Sequence, residues 1–310
     1  LLSLDVEIVF YDTTSLHFEI DDEDSGDADG LIRGSVAAGA KRYVAPRKRG
    51  YSKNGRGDAP QIVVGLAVSS RYSLEAMDAL YEGMLLACDK YGVDMVGGDT
   101  VSSPSGMILS ITALGRVPKD QVVYRKGAAE NDVLCVTGDL GAAYCGLLVL
   151  EREKQVFRAN PEMQPDIGAY SYVLERQLKP EAGRQYAEAL AKAGVKPSSM
   201  IDISDGLSSE VLHLCKNSGL SAVVYEERIP VHPAMAQTAH EFNIDPTTAA
   251  LNGGEDYELL FTCSPFDYEK IKDIPGISAI GHMTAAGTAP VLVTTSGQYI
   301  EITAQGWEGF

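Results

Sequence analysis

From Pro60 onward the chain alternates apolar runs of strand length with stretches whose apolar residues return at helical spacing. "QIVVGLAV" reads as a buried strand. Ser73 then stands where a helix N-cap belongs, and Leu74, Met77, Leu80, Met84, Leu85 and Cys88 recur on one face until Gly92. "VDMVGG" reads as a short strand and "GMILSITALGRV" as another, and "PKDQVVYRKGAAENDV" is a connector. Beyond it come a strand ("LCVTGD"), a helix ("GAAYCGLLVLERE") and a long helical region around 165–194. "MIDISDGLSSEVLHLCKNSG" reads as strand, turn and helix. "SAVVYEERI", "DYELLFTC", a helix at 266–273 and the strands "ISAIGH" and "PVLVTT" close the chain. This alternation lacks βαβ regularity and predicts an α+β or mixed α/β fold without internal repeats. The 310 residues suffice for two domains, with a boundary expected near Gly127: 60–127 and 128–310.

The first 59 residues differ in texture. "DVEIVFYDTTSLHFEI" is rich in β-branched and aromatic residues, as in a hairpin. An acidic run, "DDEDSGDADG", precedes the basic "KRYVAPRKRGYSKNGRGD". Charge segregated this sharply predicts exposed loops or a partly disordered arm.

Net charge is −17, a poor match for nucleic acid except through the basic residues 41–56. A phosphorylated ligand would need cations to bridge the repulsion. Five scattered cysteines without a CxxC suit reduced core thiols and a cytoplasmic setting. No run reaches the length of a membrane span, and the acidic start does not read as a signal peptide.

The phosphate-loop, dinucleotide, nucleophile-elbow and zinc-helix motifs are all missing from the sequence. The five histidines show no ligand spacing, and His213 is expected in a helix core. What remains is a set of acids at glycine-flanked turns. Asp99 in "GGDT" reads as a turn or cap, or as a metal ligand. In "MIDISDGLSSE", Ser204 or Asp205 suits an N-cap. Asp202 interrupts an apolar strand, where a carboxylate is costly unless metal or hydrogen bonds satisfy it. Glu255 and Asp256 follow two glycines in "LNGGEDYELLF", as a plain turn or a ligand site. The helix start in "GDLGAAYCG" offers amides to a phosphate or is only a tight turn. Arg125 is a cation available to phosphate or a surface residue. Aspartates at such edges suit magnesium-dependent phosphate chemistry, in which catalysis is positioning and charge neutralisation.

In order, "VDMVGGDT", "ILSITALGRV", "YRKGA", "VTGDLGAAYCGLLVLERE", "IDISDGLSSEVLHLC" and "LNGGEDYELLF" resemble the thiamine-monophosphate kinases, within the aminoimidazole ribonucleotide synthetase superfamily. The resemblance begins at about residue 60 or 70 and runs to the C-terminus. It implies the two-domain fold of that superfamily, with an N-terminal α+β domain that binds ATP and dimerises through its sheet, and a C-terminal α/β domain. The implied reaction transfers a phosphoryl group from ATP to thiamine monophosphate by direct in-line attack, without a catalytic side chain. Carried across, Asp99, Asp202 and Asp205 would hold magnesium. Tyr81, Gly98, Arg125 and Ser204 would meet ATP, and Glu255 and Trp307 the thiamine substrate. Sister substrates within the superfamily fit the same motifs.

Residues 1–59 lack the paired aspartates, the "TD" strand end and the "EGVHF" segment of that family. They resemble instead a fragment of a DDE-type insertion-element transposase, with Asp12 matching its first acid. The expectation is a fused chain whose kinase activity is impaired by the replaced metal-binding acids. A non-catalytic nucleotide-binding remnant and a DNA-binding fusion are the alternatives.

Overall fold

The computed structural model describes residues 60–304. Everything expected of residues 1–59, and the assignment of Trp307, lies outside the described residues. The chain divides into two compact units between Val117 and Pro118.

The first unit comprises β1 (Gln61–Val68), α1 (Leu74–Tyr91), β2 (Asp94–Ser102) and β3 (Met107–Leu114). Ser73 Oγ accepts the Ala76 amide at 3.2 Å, the expected N-cap. Gly92, at φ 64°, ends the helix by donating its N–H to Cys88 O. The strands are ordered β2-β1-β3, with β2 parallel and β3 antiparallel to β1. A parallel neighbour needs a crossover, which α1 supplies. Ile62, Val64 and Cys88 form the core. β2 runs past the short strand expected at "VDMVGG" because β1 offers Leu66–Val68 as partners for Thr100–Ser102.

In the second unit the strands are β4 (Val133–Thr137), β5 (Ser199–Ile203), β6 (Ser221–Tyr225), β7 (Glu258–Cys263), β8 (Ile277–Thr284), β9 (Val291–Val293) and β10 (Tyr299–Glu301). Their order is β10-β9-β6-β8-β4-β7-β5, antiparallel except for the β6–β9 pair. The helices are α2 (Ala142–Ala159), α3 (Ser171–Leu178), α4 (Arg184–Lys192), α5 (Leu207–Ser218), α6 (Pro233–Glu241), α7 (Pro246–Asn252) and α8 (Pro265–Ile271). All six β7 residues are buried. Leu134, Val136 and Leu260 pack into one apolar cluster, whereas Cys135, Leu259 and Phe261 pack into another. Alternate residues serve opposite faces, so the sheet is covered on both sides.

Two expectations are corrected. The helical region around 165–194 is a 3-10 turn at Gly168–Tyr170 followed by α3 and α4. Pro180 lacks an N–H and disfavours helical backbone at Lys179, which ends α3 there. His213 is exposed; Leu207, Val211, Leu214 and Cys215 form the buried stripe of α5, and position 213 falls beside it. The connector between β3 and β4 carries neither helix nor strand, as expected, and Met200 donates its N–H to Tyr124 O at 2.9 Å.

Candidate active site

Three of the motifs meet at one edge of the seven-stranded sheet. β4 and β5 both run antiparallel to β7, so their C-terminal ends lie beside its start: Val136 opposite Leu260, Ile203 opposite Glu258. The turns "GDLG", "SDG" and "GGEDY" therefore emerge together. The last two are bonded to one another, since Glu255 N donates to Ser204 O and Tyr257 N to Ile203 O, each at 2.8 Å. Glu255 and Tyr257 hold φ of 69° and 53°, unusual for side-chain-bearing residues. Such strain clusters at functional sites.

Asp202 is half-buried, while Asp205 and Glu255 are exposed. Tyr257 Oη donates to Glu255 Oε2 at 2.8 Å. That bond, then burial, then the charges of Glu255, Asp202 and Asp205 push the Tyr257 phenol up to about 12. One ring thus senses three carboxylates from two motifs. Asp202 and Asp205 are hard oxygen donors without a histidine or thiol partner. Among the described residues no group of three or more acids, histidines or cysteines is set to enclose a metal. Magnesium does not need such a cage, because it binds through one or two carboxylates, retained waters and substrate phosphates. The Asp202–Asp205 pair fits that habit.

Beneath this rim lies a layer that the sequence pattern does not single out as a unit. Asp256 is buried, its Oδ2 accepting Gly141 N at 2.7 Å and its Oδ1 accepting Ala143 N at 3.4 Å. The start of α2, considered as a phosphate cradle, is thereby filled by the protein's own carboxylate. Burial raises Asp256 to about 7 despite these bonds and the nearby Arg176 charge. Arg176 bridges Glu258 at 3.1 Å and donates to the carbonyls of Asp139 (3.1 Å) and Asp256 (3.4 Å). Burial opposes its charge, yet Glu258, Asp139 and Asp256 leave it more firmly protonated than a free arginine. Glu258 is raised by burial, against the bond from Thr137 Oγ1 at 2.6 Å. Tyr172 Oη donates to Asp139 Oδ2 at 2.6 Å, while the other oxygen of Asp139 is buried without a partner. Glu210 is also buried, its Oε1 accepting the Asp205 amide at 3.1 Å; burial lifts it to about 7. The signal available for these residues is an acid or arginine in an otherwise apolar run, as in "YELLF" and "YVLERQL".

The remaining predicted residues are placed as follows. Ser204 is half-buried between Asp202 and Asp205, its carbonyl taken by Glu255. Arg125 is exposed in the connector, beside the Met200 half of β5 and not at its Asp202 end. In the first unit, Asp99 lies within β2, opposite Gly65, in an edge strand. Gly98 faces Val64, whose carbonyl oxygen a Cβ would strike. Tyr81 from α1 shares a 3.4 Å hydroxyl contact with Thr100, while Asp99, the preceding residue of β2, alternates to the other face of that sheet.

Residues 57–117 match the family described as AIR synthase related protein, N-terminal domain. Thiamine-monophosphate kinase of Bacillus subtilis is 30% identical over 254 residues, 80% of this chain and 74% of that protein. Its counterpart in Methanocaldococcus jannaschii is 35% identical over 208 residues, 65% of this chain and 60% of that protein. The chain thus spans about three quarters of one relative and three fifths of the other. The solved structure of AaThiL complexed with AMPPCP and TMP superposes with a TM-score of 0.68 at 25% identity, covering 82% of this chain and 75% of that one. A relative 30% identical over about three quarters of its own length fixes descent: the chain belongs to the thiamine-monophosphate kinase family.

Proposed function

We propose that the protein transfers the γ-phosphoryl group of ATP to thiamine monophosphate, giving ADP and thiamine diphosphate. The reading rests above all on the hydrogen-bonded joining of the turn that carries Asp202 and Asp205 to the turn that carries Glu255, where β5 ends beside β7. Relatives named for this reaction, and one solved with an ATP analogue and TMP, support it. A phosphate oxygen of the substrate attacks the γ-phosphorus, the bond to the β-phosphate oxygen breaks, and ADP leaves with that electron pair. No protein nucleophile enters this balance, and no side chain is assigned that part.

Asp202 and Asp205 are assigned to magnesium in the second unit, and Asp99 in the first. Magnesium, when bound, would offset the charge of the phosphate oxygens. Ser204 is assigned to ATP in the second unit, and Tyr81 and Gly98 in the first; Arg125 keeps its ATP assignment as a reading of sequence alone. Glu255 is assigned to the thiamine moiety, whose thiazolium ring is cationic and suits a carboxylate. Trp307 keeps its substrate assignment as a reading of sequence alone. The exposed apolar residues Val101, Ile108 and Leu114 on β2 and β3 support a homodimer built on the first unit's sheet. The five cysteines are free and buried, which suits the cytoplasm, and no helix among the described residues is long and apolar enough to cross a membrane.

Turnover is expected below that of an intact relative, because residues 1–59 lack the family's other metal-binding acids. Removing such electrostatic groups typically costs about 10²–10³ in kcat. A coupled ADP-release assay with ATP, thiamine monophosphate and magnesium tests this. Release that needs all three and falls in Asp202→Asn supports the reading. Magnesium-dependent ATP binding by calorimetry without release would assign the chain to the non-catalytic remnant instead.

A further inference from the structure

The Ser204–Asp205–Gly206 turn is held from two sides. On one, Glu255 N donates to Ser204 O, and Gly254 lies so near that a Cβ would come within 2.5 Å of the same oxygen. Gly206 holds φ 110°, where a side chain would also meet Leu251 O at 2.8 Å. On the other side Gly206 O accepts Ser209 N at 3.0 Å and Glu210 N at 3.4 Å, and the Asp205 N–H donates to the one side chain that reaches it, Glu210 Oε1, at 3.1 Å.

Glu210 is 2% exposed, and its Oε2 is buried without a partner. The one side-chain charge among the main influences on it is Asp205, of like sign. A carboxyl group in this position is costly, whereas leucine would fill the space without that cost. Ordinary helix capping does not account for it. A capping box uses the third helical residue to bind the N-cap amide. Glu210 is the fourth residue of α5 and binds the amide one position ahead of the N-cap Gly206.

We propose that Glu210 is a positioning residue, whose buried oxygen sets the main chain at Asp205 and so the direction in which Asp205 and its neighbour Asp202 meet a divalent cation. The inference rests on the kinase reading for its purpose, though not for its test. Residues that orient metal ligands typically change metal affinity by about 10–100-fold when replaced.

Amide hydrogen exchange and Mn²⁺ affinity, the latter by water-proton relaxation, are measured on the full chain as native protein, Glu210→Gln and Glu210→Leu. Gln retains an acceptor and is expected to keep slow exchange at residues 203–206, with Mn²⁺ affinity within about twofold of native. Leu is expected to lose protection at 203–206 while residues 207–218 stay protected, and to bind Mn²⁺ about tenfold more weakly. Unchanged exchange and affinity in the Leu variant would overturn the proposal, as would loss of protection along all of α5, which marks plain capping. If Leu does not fold, Glu210→Met replaces it; failure of both while Gln folds would make Glu210 a core requirement and also overturn the proposal. Native protein that releases no ADP, with exchange and Mn²⁺ results as expected, would sink the kinase reading and leave the positioning role standing.

Discussion

Replacing Arg176 by methionine removes the cation that bridges Glu258 and leaves Asp139 and Asp256 beside it. The side chains of Arg176 and Glu258 are 15% and 8% exposed, so solvent screens their 3.1 Å contact little. Breaking one partner out of a buried pair typically costs about 3–5 kcal/mol, because the survivor stays buried and uncompensated. Two carbonyls, on Asp139 and Asp256, lose a donor as well. The expected loss at pH 8 is therefore about 3–5 kcal/mol, read by urea unfolding of the unit holding β4–β10. It corresponds to a fall of about 6–20 °C in melting temperature for a unit of this size. The loss should shrink toward pH 5.5. Asp256 sits near 7 and Glu258 is also raised, so both can take up protons once the arginine is gone. Adding Glu258→Gln should restore part of the loss. A cost under about 1 kcal/mol at pH 8, or the same cost at both pH values, would refute the account of Arg176 as counter-charge.

Asp256 is raised from an ordinary 3.8 to about 7, so its protonated form favours the fold. That contribution is complete below about pH 4 and is lost as pH rises through 7; Asp256→Asn should flatten the fall in stability between pH 5 and 8 by a few kcal/mol, read by urea unfolding across that range. Gly98→Ala drives a methyl group into the Val64 carbonyl of the neighbouring strand, and should destabilise residues 60–117 by about 1–3 kcal/mol, seen as faster amide exchange in β1 and β2. Tyr172→Phe removes the donor to Asp139 Oδ2 when Oδ1 already lacks one. A loss of about 1–3 kcal/mol in urea unfolding is expected, and a neutral result would show that water reaches that carboxylate.

Much of the fold was legible where one residue type does one job. Ser73 and Gly92 bounded α1 because caps are local chemistry. β7 was plain from the uncharged run that follows Glu258. The break at Pro180 was visible too, yet the apolar spacing on both sides suggested one long helix. His213 was misplaced because helical phase drifts, and a one-residue step separates the buried stripe of α5 from its exposed side. The rim acids Asp202, Asp205 and Glu255 stood out as polar interruptions at glycine turns. Their meeting depends on β5 and β7 being neighbours, a long-range pairing that no local pattern encodes. Asp256 was noticed only as a turn or ligand acid, and the buried layer it forms with Glu258, Arg176 and Glu210 was hidden for the same reason, since an acid beside tyrosine and leucine reads as surface until its partner arrives from elsewhere.

β5 is the last strand of the seven-stranded sheet, and it bears Asp202. An outermost strand of five apolar-rich residues would ordinarily recruit strands from other molecules. The bond from Met200 to Tyr124 lays the connector along that margin and takes up one of its amides. The segment joining the two units thus also works as a selvage, keeping the acid-bearing strand from fraying into aggregation.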